Sequence, residues 1–174
     1  YRLLLYRPNL RTLVNIVHTI MKKLNNNFTL FGLIASLVYT STVILGGLLW
    51  PSYSQIKQPI SELTMSGSPN LTLMITLFTL YNILLISFSL TIFKQHQNKL
   101  IRISAILLFL VGLSGIMMNI FPQDPINSVL TFRGLLHFVF AGAAAIGTIM
   151  AIFIGGVGFE TMNADKNFKM ISIL

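Results

Sequence analysis

The side chains best suited to chemistry in this sequence sit in and beside two Pro-rich segments. Ser61 and Glu62 stand in Gln58-Pro59-Ile60-Ser61-Glu62-Leu63, and Asp124 stands in Phe121-Pro122-Gln123-Asp124-Pro125. Arg133 and His137 follow, four residues apart, so on a helix they share a face. A carboxylate beside an imidazole can pass a proton, and a hydroxyl beside both can be activated; that is the chemistry of a general acid–base site. Ser54 and Asn119 would add neutral hydrogen-bonding groups to the same cluster. The plainer reading is that Glu62 and Asp124 pair with Arg133 and Lys57 and pin two loops together, a wet arrangement worth only ~0–1 kcal/mol per pair. That reading weighs more, because no H-E-x-x-H, G-x-S-x-G or other fixed spacing accompanies the cluster. One His and two acids on different loops make a weak metal site, and the absence of cysteine removes thiolate metal sites, disulfides and a Cys nucleophile.

The elements that must position these residues follow from composition. Of 174 residues, 54% are hydrophobic and 9% charged, where a soluble domain carries about a quarter charged residues. Mean hydropathy is +0.77. Neither a soluble globule nor a disordered chain fits, and the chain reads as a membrane protein. Four apolar stretches, about 28–50, 71–93, 103–121 and 135–159, are each near the roughly 20 residues that cross a hydrocarbon layer of about 30 Å. Lipid tolerates no unpaired backbone, so all four should be helices. The expected architecture is an all-α, polytopic transmembrane helix bundle, with the lipid bilayer as its partner.

The net charge of +8 does not indicate nucleic acid, because the basic residues flank apolar runs instead of gathering on one polar segment. Arg2, Arg7, Arg11, Lys22 and Lys23 precede the first span; Lys94, Lys99 and Arg102 lie between the second and third; Lys166 and Lys169 follow the fourth. Only Lys57 and Arg133 lie in the other two connections. The positive-inside rule then puts both observed termini in the cytoplasm of a cell-membrane protein and the candidate cluster on the outer face, with Trp50 and Tyr53 in the outer aromatic belt.

Residues 1–27 form a basic cytoplasmic segment in this reading, 28–159 the four-helix domain, and 160–174 a tail or the opening of a fifth span. Met21-Lys22-Lys23 resembles a natural start, so residues 1–20 are expected to be read-through, an expression remnant or a basic segment on the membrane surface. Prolines 51, 59, 69, 122 and 125 all lie in the two outer connections. Ser68-Pro69 fits an N-cap and first helical residue for the second span. Ile56, Ile60 and Leu63 fall at helical spacing, which suggests a short interfacial helix with Pro59 in its first turn. Ala143, Gly147, Ala151 and Gly155 make a small-residue stripe for close packing between helices, with Gly112 and Gly115 as counterparts on the third span. Tyr39, Thr40, Ser41, Thr42, Asn82 and Ser87 are expected to bond across helices or to their own carbonyls. No span carries a haem-ligating His pair, a Lys for a retinal Schiff base or a mid-membrane carboxylate, and no cofactor is expected.

Leu49-Trp50-Pro51-Ser52-Tyr53-Ser54, Ile60-Ser61-Glu62-Leu63 and Gly67-Ser68-Pro69, followed by Phe121-Pro122-x-Asp124 and His137, resemble the marks of the bacterial and archaeal multi-pass family called domain of unknown function 998, over about residues 32–159. Thr64 and Asn119 stand where that family's pattern has Gly. The resemblance implies a six-span architecture, of which two spans are missing or atypical here, and singles out Ser61, Glu62, Asp124 and His137. It brings no activity with it. Two functions are therefore carried forward: binding of a lipid headgroup or small ligand at the outer cluster by Ser61, Glu62, Asp124, Arg133 and His137; or a membrane-interface hydrolase or transferase in which Glu62 or Asp124 works with His137.

Overall fold

A computed structural model describes residues 27–161. The basic N-terminal segment before them and Lys166 and Lys169 after them lie outside the described residues. Four helices follow one another: α1 Asn27–Leu48, α2 Leu71–Gln95, α3 Lys99–Ile120 and α4 Phe132–Thr161. All four are long and apolar enough to cross a membrane, and among the described residues there is no strand. At about 1.5 Å per residue they run from about 33 Å to about 45 Å, enough for a hydrocarbon core of about 30 Å. Large apolar side chains such as Leu37, Val139, Ile146 and Phe153 point outward, a pattern that suits lipid and would aggregate in water. The protein is an integral membrane protein.

The helices pack in sequence, α1 on α2, α2 on α3 and α3 on α4, and no packed interface closes α4 back onto α1. α3 is accordingly the most buried span and α4 the least. Two apolar clusters hold the row together at its opposite ends. Tyr53, Leu63, Met74 and Phe78 form one, under the 48–71 connection; Ile92, Ile101 and Ala105 form the other, at the α2–α3 turn. At that turn Asn98 caps α3 by accepting from the amides of Leu100 (2.9 Å) and Ile101 (3.2 Å). Its own amide donates to Thr161 Oγ1 at 2.9 Å and so ties down the end of α4.

The small-residue stripe of α4 faces α3. Ser104 Oγ donates to the Ala151 carbonyl at 2.7 Å, and a Cβ on Gly155 would stand 2.8 Å from that same hydroxyl. A Cβ on Gly147 would meet Val111, whereas Ala143 is exposed. The expected counterparts are corrected: Gly112 and Gly115 turn the other way, toward Ile86 and Asn82 of α2. α3 uses bulkier residues against α4 because the stripe already removes enough volume on one side.

Two local expectations are also corrected. α2 begins at Leu71, not at Pro69, because the Ser68 hydroxyl is committed to the Leu63 carbonyl at 3.0 Å and caps no helix. The short helix of the 48–71 connection is a 3-10 helix over Ile60–Thr64, with Pro59 just ahead of it. The expected helical set does not share one buried face: Leu63 is in the core, while Ile56 lies outside the short helix and is 96% exposed.

Candidate functional site

The 3-10 helix fixes the site because it is drawn in from the surface. Leu63 enters the apolar cluster, and this carries Glu62 and Thr64 into buried positions beside it. Ser61 then faces the 121–132 connection. Its hydroxyl donates to Gln123 Oε1 at 2.6 Å, and the Ser66 amide donates to the Gln123 carbonyl at 3.0 Å. The two Pro-rich connections therefore meet over one end of the helix row.

Beneath this junction is a chamber of about 190 Å³. Tyr39 of α1, Phe78, Tyr81 and Asn82 of α2, Gly115, Met118 and Asn119 of α3, and His137 of α4 line it, with Ile60, Ser61 and Thr64 above. All four helices contribute, although α1 and α4 share no packed interface. No Asp, Glu, Lys or Arg is among the lining residues.

His137 is 1% exposed. Its Nδ1 lies 2.9 Å from the Phe121 carbonyl oxygen. A carbonyl oxygen can only accept, so Nδ1 carries the proton, and in the neutral ring Nε2 is left as a bare acceptor. Nε2 is buried and has no hydrogen-bond partner. Asn82 is 4% exposed, and its amide lies flat against Gly115, where any Cβ would collide with it. It makes no side-chain hydrogen bond to the described residues, which departs from the cross-helix bond expected of it. Thr42 and Ser87, by contrast, do bond back to their own helices. Asn119 donates to Thr79 Oγ1 at 2.9 Å. Tyr39 and Tyr81 pack ring against ring, centroids 5.0 Å apart.

The acids are elsewhere. Glu62 and Asp124 border a separate cleft of about 360 Å³, shared with Gln123 and Phe138. Glu62 is 5% exposed and accepts from Gln58 Nε2 at 2.6 Å. Asp124 accepts from the Thr131 amide at 2.7 Å and from its hydroxyl at 2.9 Å. Thr131 Oγ1 in turn accepts from the Gly134 amide at 3.1 Å. Thr131 is thus the N-cap of α4 and Asp124 steadies it, a carboxylate held at the positive end of a helix dipole. Arg133 donates to the Ile120 carbonyl at 3.3 Å. Arg133 and His137 do share a face, as their spacing requires, and they reach consecutive carbonyls at the end of α3.

The expected ion pairs of Glu62 and Asp124 with Arg133 and Lys57 are not formed among the described residues. Each carboxylate already has uncharged donors from its own connection, and Arg133 has a carbonyl. Neither acid bonds to His137. Ser54 serves its own turn, with its amide donating to Gln58 Oε1 at 2.6 Å. The candidate residues therefore divide: Ser61, Asn119 and His137 border the chamber, Glu62 and Asp124 the second cleft, and Arg133 neither. Asn82 and Tyr39, expected from the sequence only to bond within or between helices, join the chamber together with Tyr81. The available signal was an amide in the middle of an uncharged span, a placement that is costly in lipid unless the amide is used. Tyr53 closes the loop side. Its hydroxyl donates to the Pro59 carbonyl at 3.2 Å, and burial, then the nearby charge of Glu62, hold its phenol above the ordinary tyrosine value.

Four membrane-spanning helices with a neutral, hydrogen-bonding chamber under joined loops define a polytopic helical membrane protein. The model of the family of proteins of unknown function DUF998 matches residues 33–169, and the chain belongs to that family. No curated protein and no solved structure matches it.

Proposed function

We propose that this protein binds a small ligand or a lipid headgroup in the chamber beneath its two Pro-rich connections. The observation that carries this reading is one buried polar atom without a partner, His137 Nε2, on a residue that lines the cavity together with the buried Asn82. A buried polar group left unpaired costs about 1–3 kcal/mol. Such an atom on a residue of a cavity wall is more economically understood as a group whose partner is a ligand than as an error of packing. The chamber sits on the outer face in this reading, with the basic flanks of the described helices in the cytoplasm.

The hydrolase or transferase reading has one observation in its favour. His137 Nδ1 is held by a backbone carbonyl, which leaves Nε2 without a proton on a residue that lines the same chamber as Ser61. Against it, Ser61 gives its proton to Gln123, and both carboxylates are engaged away from the imidazole. Binding is the better supported of the two.

The test is retention of a ligand through purification. Protein extracted in mild detergent should carry a small amphiphile, seen by mass spectrometry of the denatured sample, and Asn82→Leu should reduce its occupancy severalfold. Equal content in the wild type, in Asn82→Leu and in an unrelated four-span control would overturn the proposal.

A further inference from the structure

We infer that the chamber selects an uncharged amphiphile whose head carries a hydroxyl, of the acylglycerol or long-chain alcohol type, and that His137 Nε2 accepts the hydroxyl proton. This inference rests on the chamber being a ligand site and names the class of ligand it takes. Three features argue for that class.

The first is the direction of the free hydrogen bond. Nδ1 donates to the Phe121 carbonyl, so neutral His137 can only accept at Nε2. A ligand that completes it must bring an O–H or N–H. An ester, an ether or a hydrocarbon end leaves the buried lone pair as unsatisfied as before. The Asn82 amide, which both donates and accepts, can take the remaining lone pairs or proton of a hydroxyl.

The second is charge. A phosphate head calls for Arg or Lys, and neither lines the chamber. Arg133, the basic residue nearest in sequence to His137 on α4, is exposed and spends its guanidinium on Ile120. A buried cationic head would need a carboxylate, and Glu62 and Asp124 border the other cleft. An uncharged head avoids both penalties.

The third is depth and size. Tyr81 lies ten residues into α2 from Leu71, about 15 Å along the helix, so the chamber reaches about halfway into a hydrocarbon layer of about 30 Å. At about 190 Å³ it is smaller than the roughly 300–1,000 Å³ of drug-sized ligand pockets, which suits a small polar head. Phe78 and Met118 in its wall favour a molecule with an apolar portion over a free polyol.

The experiment uses the full chain in phosphatidylcholine nanodiscs and a mono-oleoyl glycerol carrying a photoreactive group near the head. Labelling should fall on peptides containing Tyr39 or Tyr81. Unlabelled mono-oleoyl glycerol should compete about tenfold better than methyl oleate, which lacks the donor, the ratio expected for one hydrogen bond worth about 1.4 kcal/mol. Free glycerol and dioleoyl phosphatidate should compete no better than methyl oleate. His137→Asn is the decisive variant, because its amide can still donate to the Phe121 carbonyl from the position of Nδ1 while the Nε2 acceptor is gone. It should fold, as judged by an unchanged melting temperature, and lose the labelling about tenfold. Should it fail to fold, nitrogen NMR of the histidines in wild-type protein decides: an Nε2 resonance without a bonded proton, shifted on adding mono-oleoyl glycerol, supports the inference, and a protonated Nε2 or an unmoved resonance ends it. Equal competition by methyl oleate, or undiminished labelling of a folded His137→Asn, also overturns it. Competition by phosphatidate or by glycerol alone defeats the ligand class but leaves a binding chamber, whereas labelling of the chamber by none of these probes removes both.

Discussion

Ser61 Oγ donates to Gln123 Oε1 across 2.6 Å, joining residues sixty-two positions apart that lie on two different interhelical connections. A bond of this kind requires both connections to emerge on the same side of the membrane. The chain has no cysteine, so single cysteines can report on this without background. Ser61→Cys and Gln123→Cys should react with the same membrane-impermeant maleimide from the same side, and the orientation proposed from the positive-inside rule expects that side to be the outer one. Reaction from opposite sides would dissolve the chamber and everything proposed for it.

Gly115 exists as glycine because the Asn82 amide occupies the place of its Cβ. Gly115→Ala should push that amide into the chamber and strain the α2–α3 contact. A loss of about 1–3 kcal/mol is the usual cost of overpacking, read as a lower melting temperature in detergent, and ligand retention should fall with it. Gly142→Ala, at a position with open space around it, is the matching control and should change neither.

The number of helices, their approximate extents and the meeting of the Pro-rich connections were legible in the sequence. Long uncharged runs have only one backbone solution in lipid. The division of the candidate cluster between two cavities was not legible. Sequence spacing places Arg133 and His137 on one face, but it does not say that the nearest acceptors there are the carbonyls of Ile120 and Phe121. Nor does it say that Asp124 is taken by the N-cap of α4 before it can meet a histidine. Asn82 was misread for a related reason. An amide in a span usually finds a neighbouring helix to bond to, and here the neighbour is Gly115, which has no side chain to offer.

Asp124 and Thr131 act as one unit at the start of α4. Asp124→Ala and Thr131→Ala should each cost about 0.5–2 kcal/mol, the range for loss of a helix cap, and the double variant should cost less than the sum, since each single change already breaks the shared bond. Asp124→Asn keeps an oxygen for the Thr131 amide and should cost less than Asp124→Ala. The measurement is thermal unfolding of the purified protein. Strict additivity would mean that the two residues act separately, contrary to their geometry.

Tyr53 gives the loop its own pH signature. Burial first, and the charge of Glu62 second, raise its phenol above the ordinary value of 10.0. A group whose proton is held more tightly in the folded state than in the unfolded chain contributes its stability fully below the unfolded value and loses it as pH rises through the folded one. Alkaline conditions above about pH 10 should therefore weaken the loop, while no part of this contribution changes between pH 6 and 8. In a spectrophotometric titration the wild type minus Tyr53→Phe difference should show a tyrosine ionising above 10.0. Glu62→Gln should bring that ionisation down only part of the way, because the larger cause, burial, remains. If Glu62→Gln restored the ordinary value in full, charge and not burial would be the governing influence on this side chain, and the packing of the Pro59–Glu62 segment over Tyr53 would have to be looser than its hydrogen bond to Pro59 implies.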